Sequence, residues 1–155
     1  MTPRPDSRTK LLETIESRWR EFQDVLTGLT DVELEEPGVV EDWSVRDIVA
    51  HVTIWEQEAL QHLPLIVAGG RPPRYSTTHG GIDAFNDQMM RRVRDISVAE
   101  VLRASSESHA QLISYLATVP EEFLASGSRF YRRLRLDTFG HYPIHTGHVL
   151  DWRRR

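Results

Sequence analysis

Four stretches of this chain repeat apolar residues at intervals of three and four, and no stretch of comparable length sustains a period of two. That pattern places one apolar stripe on each of several α-helices and leaves little room for a sheet. The first stripe is Leu12, Ile15, Trp19, Phe22, Leu26 and Leu29, predicting a helix from about Ser7 to Leu29 that is broken by Gly28 and the turn after it. "TDVELEEPGVVEDW" holds Pro37 and Gly38 and reads as a loop. The second helix opens at Ser44, with Asp47 three residues on as a capping partner. It buries Val45, Ile48, Val52, Trp55 and Ala59. Pro64 should bend or end it, and Gly69–Gly70 closes the region.

A breaker-rich connection, "RPPRYSTTHGG", follows, and "IDAFNDQMMRRVRD" reads as a short helix within the same crossover. The third stripe is Val98, Val101, Leu102, Ser105, His109, Leu112, Leu116 and Val119, ended by Pro120. The last segment, "RLDTFGHYPIHTGHVLDWR", carries Ile144, Val149 and Trp152, while "SRFYRRLRL" reads as a brief extended stretch. The fold class expected is all-α: a four-helix bundle with a long crossover between its second and third helices, carrying a short extra helix.

At 155 residues the chain suits a single helical domain over 1–155, with Pro3 and Pro5 marking residues 1–6 as a disordered lead-in. The absence of cysteine removes disulfides, thiolate metal sites and a cysteine nucleophile together. A formal charge of −4 gives no global reason to expect nucleic acid. The basic run "SRFYRRLR" and the terminal "WRRR" read as solvated faces. The polar N-terminus and the lack of a long apolar segment predict a cytoplasmic protein with no membrane partner. Surplus Trp and Leu on the first helix suggest a homodimer.

The histidines carry the chemistry. His141 and His145 are four residues apart, about 40° around a helix and about 6 Å along it, so their rings can converge on one ion. A third ligand must come from another element, and His51 is the best candidate, lying between Ile48 and Trp55 in angle on the second helix. His148 lies at nearly the angle of His141 and is a rival ligand. Pro143 cannot sit deep inside a helix, so the last helix must begin close before it or kink there. His62 and His109 read as hydrogen-bonded core groups, and Trp43 as a plug at the start of the second helix.

Here the chain resembles a known family. "EDWSVRDIVAHVTIWE" is similar to the signature of the DinB/YfiT-like metalloenzymes, and "HYPIHTGHVLDWR" to the HxxxH on that family's last helix. The resemblance implies a bundle of unusual topology in which His51, His141 and His145 bind a divalent metal. It places His148 outside the ligand set or facing the substrate.

Three neutral imidazoles leave the metal's charge uncompensated and a coordination position open, which is catalytic rather than structural logic. Zinc suits a tetrahedral shell; nickel, iron or cobalt fits if waters complete a larger one. The leading expectation is therefore an enzyme acting on a small-molecule substrate, with His148 as its catalytic group. The resemblance implies a metal that activates a low-molecular-weight thiol, in a transferase or isomerase; a hydrolase activating water is the close variant. Arg71, Arg74 and the "YRRLR" run are either solvated or hold a cofactor's carboxylates. The alternative is a non-catalytic metal- or small-ligand-binding protein with a stress or protective role.

Overall fold

The computed structural model describes residues 7–155, so the expectation of a disordered lead-in over 1–6 lies outside the described residues. Helix α1 is Ser7–Asp24, α2 Asp31–Glu35, α3 Val45–Val67, α4 Tyr75–Thr78, α5 Ile82–Arg92, α6 Val98–Leu116, α7 Arg129–Asp137 and α8 Tyr142–Arg153, with a 3-10 turn at Glu121–Leu124. No strand occurs among the described residues; Val40 and Trp43 form only an isolated bridge. The long helices α1, α3, α6 and α8 make a four-helix bundle, and the crossover between α3 and α6 carries α4 and α5, as expected.

Helix α3 is the central element, packing on α6 and α7, while α1 lies beside α8. Its position follows from composition. From Val45 through Glu56 every residue but Asp47 is buried, because α3 meets neighbours on nearly all sides. Its start is fixed by a capping box: the Ser44 hydroxyl accepts from the Asp47 amide, and the Asp47 carboxylate accepts from the Ser44 amide at 3.0 Å. Pro64 does not end α3 early. It sits in the last turn, and the helix runs on to Val67. Arg46, also buried, reaches across to the carbonyls of Val93 and Ile96 and ties the end of the crossover to α3.

Two local readings are corrected. The acidic loop contains α2, whose capping box of Thr30 and Glu33 was written in the sequence as T-x-x-E. The basic segment "SRFYRRLRL" is helical: α7 is capped by Ser128 and buries Phe130 and Leu134, one helical turn apart. Its polar and apolar residues alternate over a few positions, which mimics a strand until the i, i+4 pair is weighed. The first helix is also shorter than expected: α1 ends at Asp24, and Leu26 and Leu29 lie beyond it, partly buried against the main core as Leu12 and Trp19 are.

The junction between α7 and α8 aims the C-terminal histidines. The Gly140 amide donates to the Arg135 carbonyl at 2.8 Å, and a Cβ on Gly140 would lie 2.7 Å from that same oxygen. Only glycine allows so close a turn. The Tyr142 amide donates to Thr138 O, and α8 then starts with Pro143 in its first turn, where the missing N–H has no helical partner to lose. His141 is the N-cap residue and keeps near-helical torsions, φ −87° and ψ −41°, so its spacing to His145 remains that of one helical turn.

Candidate metal centre

The rings of His51, His141 and His145 meet in the bundle interior. His141 Nε2 lies 3.1 Å from His51 Nε2 and 2.9 Å from His145 Nε2, and one nitrogen of each ring lies within 4.8 Å of the others. Helix α3 supplies the first ring, the α7–α8 junction the second and the first turn of α8 the third. Trp43 packs on His51 with ring centroids 4.9 Å apart, which agrees with its reading as a plug. His148 is not in the cluster; its Nδ1 lies 3.3 Å from Nδ1 of His145, behind the ring.

Burial strips water from these imidazoles and pushes all three down to about 3. The neighbouring rings add to the effect: His145 on His51, His51 on His141, and both His141 and His148 on His145. They are therefore neutral near pH 7, with lone pairs available. The donor set fits a cation. With metal–nitrogen bonds of about 2.0–2.1 Å, nitrogens 2.9 and 3.1 Å apart subtend roughly 90–100° at the ion, between the octahedral and tetrahedral values. Nδ1 of His141 is buried with no hydrogen-bond partner, so only the Nε2 contacts and packing orient its ring. The three-histidine group can bind a metal.

Behind the cluster lies a polar network. The Tyr142 hydroxyl donates to Oε2 of Glu56, which also faces Nδ1 of His109 at 3.2 Å, and Nε2 of His109 lies 2.5 Å from Oε1 of Glu16. Trp19 stacks on the His109 ring, 4.0 Å between centroids. Burial alone would lower the His109 pKa, but hydrogen bonds and charge from Glu56 and Glu16 outweigh it and raise it. Glu56 and His109 bond each other, and His148 bonds His145.

In front of the cluster a cleft of about 980 Å³ opens, with His51 and His141 in its lining. Its walls hold a second network that sequence reasoning missed. Arg133 Nε donates to Asp137 Oδ2 and its terminal nitrogen to the Tyr75 hydroxyl, both at 2.6 Å, and Tyr75 donates to Glu58 at 3.0 Å. His62 Nε2 lies 3.4 Å from the same Glu58 oxygen. Burial pushes the Asp137 carboxyl up to about 6 against the pull of Arg133. The Arg133–Asp137 pair was legible as an i, i+4 contact once α7 was read as a helix, but no signal linked Tyr75 to it.

Buried imidazoles converging from two helices of a crossover bundle define a metal-competent helical protein. The sequence pattern of the DinB superfamily matches residues 12–150, and the chain belongs to that superfamily. No curated protein matches its sequence. Among solved structures, an uncharacterised protein from Escherichia coli UTI89 has a TM-score of 0.79 at 13% identity, covering 97% of this chain and 94% of that one. The colibactin self-resistance protein ClbS, in complex with a dsDNA, has a TM-score of 0.78 at 17% identity over 95% of each chain. DfsB, a sibling lethal factor precursor, has a TM-score of 0.75 at 15% identity over 95% of each chain. At such identities these are likenesses of fold.

Two expectations are corrected. The metal-dependent transferase, isomerase or hydrolase expected as the leading reading is not upheld: the solved structures that share this fold include a self-resistance protein, ClbS, which favours the alternative of a protective role. The exclusion of nucleic acid is overturned by the ClbS–dsDNA complex. A net charge of −4 was the wrong quantity to argue from, because a charge sum is blind to local basic faces such as the arginines of α7. No helix among the described residues is long and apolar enough to cross a membrane.

The depressed pKa values fix a pH dependence. In the unfolded chain the three imidazoles titrate near about 6.5, so between that value and about 3 the unfolded state binds more protons than the folded one. Their contribution to stability is present above the unfolded value and is lost as the pH falls toward the folded one. His109 acts with the opposite sign: its contribution is present below about 6.5 and lost as the pH rises through its raised folded value. In chelator-treated protein the urea midpoint should drop between about pH 7 and about pH 4, and drop less in His141→Asn. Equal drops in the two proteins would assign the acid lability to groups outside the cluster.

Proposed function

We propose that this protein is a non-catalytic protective protein that binds a divalent metal through His51, His141 and His145. The observation that carries the reading is the convergence of three neutral imidazoles, two buried and that of His141 half-buried, on one point. Zinc or nickel is the proposed ion; iron and cobalt suit the same donors. When bound, it supplies a positive charge and an open position for a small ligand at the head of the cleft.

The chain's own residues do the rest. His145, ligating through Nε2, carries its proton on Nδ1 and can donate it to Nδ1 of His148, which makes His148 a positioning residue. Trp43 holds the His51 ring from the side, and the bond from Tyr142 to Glu56 holds the residue next to His141. The protective role is supported by the fold shared with ClbS.

Metal content after dialysis tests the centre. His51→Ala, His141→Ala and His145→Ala should each lose most of the bound ion, because two imidazoles chelate poorly. His148→Ala should keep it with affinity lowered by about 10–100-fold. A His148→Ala protein empty of metal beside a loaded His141→Ala protein would move the site one turn along α8.

Duplex DNA is proposed as a second partner on the strength of the ClbS complex and the exposed Arg129, Arg132 and Arg135 of α7. A gel shift of a short duplex should be abolished by moderate salt and weakened when these three are changed to Gln. No shift at low salt would remove DNA from the account.

A further inference from the structure

The cleft in front of the histidines has a charge pattern that neither the metal nor the fold explains. Five arginines line it: Arg71 and Arg74 from the segment after α3, and Arg129, Arg132 and Arg133 from α7. Two carboxylates also line it, Asp83 and Asp137. Arg133 is committed to Asp137 and Tyr75, and Arg129 donates to the Gly70 carbonyl at 2.7 Å. Arg71, Arg74 and Arg132 are exposed at the rim, more than Asp83 alone can balance. The wall between rim and histidines is apolar: Trp55, Tyr75 and Ile66 form its inner part. Ile82 and Leu136, 52% and 69% exposed, face the opening as two of the few large apolar residues left in solvent.

We propose that this cleft binds a small organic anion with an apolar body, such as an aromatic carboxylate or phosphate ester, whose charge meets Arg71, Arg74 and Arg132 while its body lies against Trp55, Tyr75 and Leu136. The reading deepens the ligand-binding role proposed above and rests on it. Size agrees: about 980 Å³ is at the upper end of the roughly 300–1,000 Å³ typical of small-molecule sites. Chemistry agrees as well. Guanidinium forks recognise carboxylate and phosphate in a bidentate manner, and an apolar wall beside them favours an anion with a hydrocarbon or aromatic part over a bare inorganic one. Nearest the histidines, Trp55 is fixed by its indole N–H donating to Asn86 at 3.0 Å and by the ring of Phe85, so the apolar wall is formed before any ligand arrives.

Calorimetric titration of the metal-loaded protein tests this with three probes: phenyl phosphate, the uncharged aromatic benzyl alcohol, and inorganic phosphate. Phenyl phosphate should bind at least about tenfold more tightly than either of the others, and raised salt should weaken it. Arg71→Gln/Arg74→Gln/Arg132→Gln, with unchanged helical content and metal content, should lose at least about tenfold in that affinity. Benzyl alcohol binding as tightly as phenyl phosphate, or an unaltered triple variant, would overturn the proposal. His145→Ala separates it from the metal reading. If that variant abolishes phenyl phosphate binding while the arginine variant keeps it, the anion sits on the ion alone and the cleft proposal fails with the metal centre intact. If the wild-type protein holds no metal but still binds phenyl phosphate through the arginines, the metal reading fails and the cleft stands.

Discussion

A buried carboxylate holds this bundle in register. Glu56 is 1% exposed and sits in the middle of α3, where an unpaired charge would cost several kcal/mol. It is compensated by His109 from α6 and by the hydroxyl of Tyr142 from α8, and His109 in turn faces Glu16 from α1. All four long helices thus meet at one chain of hydrogen bonds, which apolar packing alone would not specify: slide any helix by a turn and a charge is left without its partner. Dispersion and burial drive the collapse around Ile15, Phe22, Ile48, Leu112 and Phe130, but the polar chain selects which arrangement of the helices survives.

The metal centre inherits its geometry from that constraint. Tyr142 is the first residue of α8, so its bond to Glu56 fixes where the helix begins and hence where His141 and His145 face. On the other side, His51 lies five residues before Glu56 on the same helix. The two histidine-bearing helices are therefore locked to each other beside the site rather than through it. Rings held by the fold can wait, neutral, at separations that a cation's ligands need; a flexible pair would lose that preorganisation. Gly140 and Pro143, awkward residues for a helix, are what allow α7 to pass into α8 so abruptly.

Much of this was legible in the sequence because it is local. The stripes of α1, α3 and α6, the Ser44 cap and the HxxxH spacing each depend on residues within a few positions of one another, and all reappear in the fold. What escaped was of two kinds. Helix α7 was hidden by accidental alternation in "RFYRRLRL", where arginines occupy the solvent face so densely that the i, i+4 pair Phe130–Leu134 is easily overlooked. The Tyr75–Glu58–Arg133–Asp137 network joins three elements far apart in the chain, and such pairings leave no spacing rule to read. His109 read as a hydrogen-bonded core group, but its partner Glu56, and the contact of His148 with His145, became visible only in three dimensions.

The central claim is that this scaffold presents His51, His141 and His145 as one ligand set. An anomalous difference map, from crystals of the protein grown with zinc and measured on both sides of the metal's absorption edge, tests it directly. The account predicts a single strong peak in the bundle interior, about 2.0–2.1 Å from one ring nitrogen of each of these three histidines, with His148 outside bonding distance. A peak bonded to His148 instead of His141, or no peak between the three rings at saturating zinc, would contradict it.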